Sequence, residues 1–268
     1  MDAAASLQSY ADFRPKVALQ SDVALRPKPV LRDVSCGQTL CSSCKLREVC
    51  LSEGLDTDAM RQVDALVTTR SPVRKGATLY RAGARFSSLY AIRSGSCKTV
   101  VLSRDGQSQV AGYHMAGDII GTDGIGMGVH DCEAVMLEDT EVCALPFQQF
   151  TELSRRNSRL QHNLHRLLSR EISRQRNVMM LLGTMDAEQR LAAFLLDLSE
   201  RYQERGYSSR EFVLRMTREE IGSYLGLKLE TVSRLFSRFQ REGLIQVQGR
   251  VVKLLDIPTL RQLVNGAS

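Results

Sequence analysis

Residues 216–235 read MTREEIGSYLGLKLETVSRL. Thr217, with Glu220 three positions on, is a capping box: the hydroxyl accepts from the N3 amide and the carboxylate reaches back to the cap amide. The segment 217–225 therefore reads as a helix, and Gly226 as the tight turn that ends it. A second helix is expected over 229–242 (LETVSRLFSRFQRE), stopped before Gly243. Its Val232, Leu235, Phe236 and Phe239 supply apolar faces, while Glu230, Thr231, Ser233, Arg234 and Arg238 lie on the outer side. Two short helices joined by a glycine turn lay the second across a DNA major groove. There an arginine can bond guanine O6 and N7 together, and a carboxylate can accept from cytosine N4. The stretch LIQVQGRVVKLLD (244–256) alternates around Gly249 and reads as a small hairpin, suited to a wing over the phosphates. A helical hairpin for protein contacts is the plainer alternative, but capping box, turn, polar face and wing occur here in order.

Upstream, residues 187–205 (AEQRLAAFLLDLSERYQER) form a helix closed by Gly206. Residues 147–183 are one long helical segment with no proline, and no glycine before Gly183. On it Leu164, Leu168, Ile172, Gln175, Met179 and Leu182 follow near-heptad steps, a seam for a partner helix. Between 73 and 146 the texture changes to short apolar runs such as SLYAIRSG and EVCALPF, with ten of the 19 glycines between Gly76 and Gly128. That pattern indicates an antiparallel barrel, roll or sandwich. Residues 54–70 read as a helix capped by Asp56 or Thr57, and residues 1–35, broken by Pro15, Pro27 and Pro29, as a flexible leader or arm.

The 268 residues are 43% hydrophobic and 25% charged, which excludes fibrous and wholly disordered classes. The net charge of +6 is uneven: an acidic middle precedes a basic C-terminal third, as an anionic partner for that third requires. No stretch approaches the roughly 18 apolar residues of a membrane span. The N-terminus carries Asp2 and Asp12 and no apolar core of a secretory signal, so a cytoplasmic protein without membrane association is expected. Disulfides are rare there, and the seven cysteines need another reading. Four of them, Cys36, Cys41, Cys44 and Cys50, form C-x4-C-x2-C-x5-C. Soft thiolates at such spacing suit an iron–sulfur cluster, and the same four could bind tetrahedral zinc. A disulfide switch is a further alternative. Cys97 and Cys132 read as small buried apolar residues in strands. No phosphate loop, dinucleotide fingerprint, zinc-protease motif or nucleophile elbow is present, and the four histidines are scattered, so no enzyme is expected.

Taken together, LYAIRSG (89–95), AGDIIG (116–121), RLAAFLLDLS (190–199) and the stretch 216–235 make residues 36–268 resemble the FNR branch of the CRP/FNR transcription regulators, the fumarate and nitrate reduction regulators. The resemblance implies an α+β fold. A flexible arm (1–35) and a cysteine-rich segment (36–52) precede a cyclic-nucleotide-binding-like β-roll (53–146). A dimerisation helix (147–184) and a winged helix-turn-helix (185–268) follow. It implies a [4Fe–4S] cluster on Cys41, Cys44, Cys50 and Cys143, the last just before a Pro-Phe pair in VCALPF, with Cys36 spare; spacing alone would choose Cys36 instead. It implies a homodimer through Leu168, Ile172, Gln175 and Met179, and DNA reading of a TTGAT-like inverted repeat by Glu230, Ser233 and Arg234. The loop 103–108 stands where relatives contact RNA polymerase. Two departures are notable. Neutral Gln175 stands where the family has an acidic residue on the dimer helix. Cys132-Glu133 stands where cyclic-AMP-binding relatives have Arg-Ser, so no cyclic nucleotide is expected.

Overall fold

The computed structural model describes residues 40–67, 69–103 and 106–266. The arm 1–35, Cys36, and Arg104 and Asp105 of the 103–108 loop lie outside the described residues. The first helix, α1 (Thr57–Leu66), is shorter than the expected 54–70. Asp56 caps it, accepting from the Ala59 amide at 2.8 Å. It stops at Val67, whose backbone is extended, and Thr69 opens the first strand rather than ending a helix.

Eight strands follow: β1 (Thr69–Val73), β2 (Thr78–Tyr80), β3 (Ser88–Ser94), β4 (Ser96–Leu102), β5 (Ser108–Met115), β6 (Ile119–Ile120), β7 (Glu133–Met136) and β8 (Thr140–Pro146). They make two antiparallel sheets, ordered β1-β8-β3-β6 and β2-β7-β4-β5. Tyr80, Ile92, Cys97, Ile120, Ala134 and Met136 fill the space between them. Cys97 and Cys132 are buried there as small apolar groups, although Cys132 falls one residue before β7. On the outer side of the first sheet, Leu89, Ala91, Cys143 and Leu145 pack against Leu51, Val63, Phe150 and Leu160. Alternate residues of β3 thus serve different cores, Leu89 and Ala91 the outer one and Tyr90 and Ile92 the inner, as the strand period of two requires.

The long helical segment is two helices, not one: α2 (Phe147–Arg156) and α3 (Ser158–Thr184). Asn157 breaks the run because it sits in extended backbone and its side chain caps α3, accepting from the Leu160 amide at 2.9 Å. After the hinge Met185–Asp186 comes α4 (Ala187–Glu204), opened by an Asp186–Gln189 capping box. Then follow β9 (Glu211–Val213), α5 (Arg218–Leu225), α6 (Leu229–Arg241), β10 (Ile245–Gln248), β11 (Val251–Leu254) and α7 (Ile257–Asn265). The last three strands form one sheet in the order β10-β11-β9. The fold is the expected roll, long helix and winged helix-turn-helix. Its C-terminal core extends into the roll: Val100, Val110, Tyr113, Met115 and Leu137 pack with Phe194, Leu195 and Tyr224. Lys98 and Glu220 form an ion pair of 2.8 Å across the same contact, and the Val110 amide donates to Ser223 Oγ.

Candidate nucleic-acid interface and cysteine site

The helix-turn-helix is built as its residues dictate. Thr217 Oγ1 accepts from the Glu220 amide at 3.1 Å, and the Thr217 amide donates to Glu220 Oε2 at 2.6 Å. Gly226 has φ 64°, where a side chain would be strained. A Cβ on Gly222 would lie 2.5 Å from the Leu227 carbonyl oxygen, so the turn can fold back only over glycine. Val232, Phe236 and Phe239 are buried, and the Arg218 guanidinium lies 3.2 Å from the Phe236 ring centroid. This seating leaves Glu230, Ser233 and Arg234 exposed on one face of α6. No ion pair joins Glu230 to Arg234 among the described residues. Arg238 is held elsewhere, between Glu188 at 2.8 Å and Glu242 at 2.7 Å, and so is not free on the reading face. The β10–β11 hairpin turns through Gly249 and Arg250, both exposed.

The cysteine segment lies between α1, β8 and α3. The amides of Cys41 and Ser42 donate to Asp64 Oδ1 of α1. Asn163 of α3 is 1% exposed and donates from Nδ2 to the carbonyls of Leu51 at 2.9 Å and Glu53 at 2.8 Å. Arg166 of α3 forms an ion pair with Glu53. Cys143 sits mid-β8, opposite Arg70 of β1 and Ala91 of β3, and packs in the same apolar cluster as Cys41 and Cys50. Burial pushes the Cys50 thiol up to about 12, and the neighbouring thiols of Cys41, Cys143 and Cys44 add to the rise. The fold thus brings Cys41, Cys44, Cys50 and Cys143 into one neighbourhood. No three His, Cys, Asp or Glu side chains among the described residues are arranged to hold a single metal ion. Cys41, Cys50 and Cys143 share an apolar surround and Cys44 lies near Cys50, a soft-sulfur donor set of the kind that fits an iron–sulfur cluster.

On α3, Ile172, Gln175 and Met179 are exposed, Ile172 at 61% and Met179 at 73%, and Leu168 is half-buried. The ends of the expected seam behave differently. Leu164 packs into the roll-side core and Leu182 into the C-terminal core, so the free stripe is shorter than the heptad pattern. Gln175 Nε2 donates to Glu171 Oε1 at 2.8 Å, and Arg174 bonds Glu171 Oε2 at 3.0 Å. Inside the roll, His130 is 3% exposed, stacks on Tyr80 at 3.9 Å and lies 3.3 Å from Asp123 Oδ2.

One constellation went unseen in the sequence. Asp118, in AGDIIG, is buried between Arg201 of α4 and Arg205 at that helix's C-cap, with Arg174 of α3 close by. The available signal was an acid inside an apolar loop and two arginines one helical turn apart, which is too generic to pair them.

Comparison with known proteins matches residues 70–157 to the cyclic nucleotide-binding domain and residues 189–263 to the Crp-like helix-turn-helix domain. The transcriptional regulatory protein btr of Bordetella pertussis is 49% identical over 228 residues, covering 85% of this chain and 94% of that one. The fumarate and nitrate reduction regulatory protein of Escherichia coli K12 is 40% identical over 238 residues, covering 88% and 95%. The solved structure of FixK2 from Bradyrhizobium japonicum superposes with a TM-score of 0.69 at 28% identity, covering 76% of this chain and all of that one. With both domains in this order and relatives matched over almost their whole length, the chain belongs to the CRP/FNR family of DNA-binding transcription regulators.

Proposed function

We propose that the protein is an oxygen-responsive transcription regulator, not an enzyme. Cys41, Cys44, Cys50 and Cys143 hold a [4Fe–4S] cluster. As a homodimer under low oxygen it binds a TTGAT-N4-ATCAA-like inverted repeat and controls anaerobic or microaerobic genes. The observation that carries this reading is the meeting of Cys143, from the centre of a sheet, with Cys41 and Cys50, 102 and 93 residues away in sequence, in one apolar cluster. The 40% identity to a fumarate and nitrate reduction regulator supports it. When bound, such a cluster supplies an oxidisable centre whose ligands are thiolates rather than thiols. The chain's own residues do the rest. Asn163 and Arg166 fasten the cysteine segment to α3, and the next stretch of that helix carries Leu168, Ile172, Gln175 and Met179, the proposed dimer seam. The cysteine segment and the seam therefore share one element. Two subunits place two copies of α6 about one helical turn of DNA apart, ~34–36 Å, so Glu230, Ser233 and Arg234 of each read one half-site. The loop 103–108 is the proposed contact for RNA polymerase. Cyclic nucleotide is not the effector in this reading: Glu133 would repel a phosphate, and the His130–Tyr80 stack occupies the inside of the roll.

The test is binding to the inverted repeat and mass in solution, each under nitrogen and in air. A brown dimer that binds tightly under nitrogen, and a weaker-binding monomer in air, are expected, since a monomer loses the avidity of two half-sites. Equal mass and equal affinity in both gases refute the oxygen response. A colourless protein holding zinc refutes the cluster.

A further inference from the structure

The side chain of Asp118, in the turn between β5 and β6, is only 8% exposed. Its Oδ2 accepts from Arg201 Nη2 at 2.6 Å and from the Met115 amide at 2.9 Å; its Oδ1 accepts from Arg205 Nη2 at 2.7 Å. Arg174 Nη2 of α3 stands 3.8 Å from Oδ1. Arg201 Nη2 also donates to the Tyr113 carbonyl at 2.9 Å, and Arg205 Nε to the Ala116 carbonyl at 2.6 Å. Four hydrogen bonds, from Arg201 in the last turn of α4 and from Arg205 at its C-cap, thus end on residues 113–118. Burial alone would raise the Asp118 pKa, but Arg201, Arg174 and Arg205 outweigh it and hold the carboxyl well below the usual range.

The same turn touches the cysteine segment. Gly117 has φ +94°, and a Cβ there would lie 2.8 Å from Val49 Cγ2 and 3.6 Å from Arg205 Nε. Val49 immediately precedes Cys50. On its other side α4 shares a core with α6 through Leu191, Leu195, Val232 and Phe236, and Glu188 pairs with Arg238.

We infer that Asp118 is a positioning residue for DNA reading. It fixes α4, and with it the recognition helix α6, against the turn on which Val49 rests. A displacement of the cysteine segment then reaches the DNA-binding unit directly, without passing through the dimer seam. The inference rests on the proposed function only for what displaces the segment. The plainer role for Asp118, stabilising a domain contact, involves no dependence on Val49.

A double-mutant cycle in the full-length protein under nitrogen separates the two. Val49→Ala, Asp118→Asn and the double variant are compared by amide hydrogen exchange over residues 199–205 and by affinity for the inverted repeat. Val49→Ala is expected to alter both readouts in the parent and to add nothing in the Asp118→Asn background, a departure from additivity of at least about 5-fold, or about 1 kcal/mol. Additive effects, or a silent Val49→Ala in the parent, overturn the inference. If Asp118→Asn does not fold, Arg205→Gln, which leaves Asp118 paired with Arg201, takes its place in the cycle. Iron content measured on the same samples judges the cluster separately: an iron-free parent refutes the cluster, while hydrogen exchange still decides the joint.

Discussion

At the scale of single residues, Arg234 is the sharpest case. It is exposed one helical turn from Glu230, on the face that the buried Val232, Phe236 and Phe239 turn outward. A base contact and a phosphate contact differ in what Arg234→Ala does. Loss of a bidentate guanine contact costs roughly 1–3 kcal/mol per half-site and relaxes choice at that base. Loss of a phosphate contact weakens all sequences alike and flattens the salt dependence. The expected outcome is a large loss on TTGAT repeats and a small one on guanine-substituted repeats, measured at a single salt concentration; equal losses contradict base reading. His114 makes a second residue-scale case. It is buried, bonds Thr99 Oγ1 at 3.2 Å, and burial lowers its pKa against opposing contributions from Glu171 and Asp118. A base held neutral in the fold but protonated when unfolded gives stability that is complete above about pH 6.5 and falls as pH drops below it. Denaturant midpoints from pH 8 to pH 5 are expected to fall, and His114→Gln to shrink that fall; an unchanged slope in the variant contradicts the assignment.

At the scale of elements, what was legible in the sequence was local. The Thr217–Glu220 box, the Gly226 turn and the wing around Gly249 each involve partners within a few residues, so spacing alone located them. Asn157 was missed because asparagine both tolerates a helix and caps one, and only the break decides which. β9 and α7 were missed because Phe212 and Leu260 owe their places to β11 and α4, not to a local period. Asp118 and Arg201 are 83 residues apart, and nothing local pairs them. The turn itself can be tested. Gly226→Ala forces a side chain into a left-handed backbone at a cost of about 1–2 kcal/mol. A lower melting temperature with reduced DNA binding is expected, and an unchanged melting temperature contradicts the turn geometry. The exposed stripe of α3 gives another test. Ile172→Glu removes from each subunit roughly 1.5–3 kcal/mol of burial at the seam and adds two like charges. Sedimentation under nitrogen should then find a folded monomer, with unchanged iron content and unchanged far-ultraviolet circular dichroism. A persisting dimer places the seam elsewhere.

At the scale of the whole molecule, the roll and the winged unit share one apolar core, a buried carboxylate and the Lys98–Glu220 pair, so the DNA-binding face is carried on the sensor rather than tethered to it. The cysteine segment is fastened beside that contact, to α3 by Asn163 and to the β5–β6 turn by Val49. Shared ligation with the roll would tie the segment to the sheet as well, and there the two sequence arguments differ. Spacing pointed to Cys36, within the segment, and family resemblance to Cys143, in β8. A set confined to the segment would order a loop; a set that includes Cys143 joins that loop to the sheet preceding the dimer helix. The most direct measurement is anaerobic iron content and visible absorption of the single Cys→Ser variants. The expected result is loss of iron and colour in Cys41→Ser, Cys44→Ser, Cys50→Ser and Cys143→Ser, and parental values in Cys36→Ser, Cys97→Ser and Cys132→Ser. A normal cluster in Cys143→Ser, with loss in Cys36→Ser, would contradict the account.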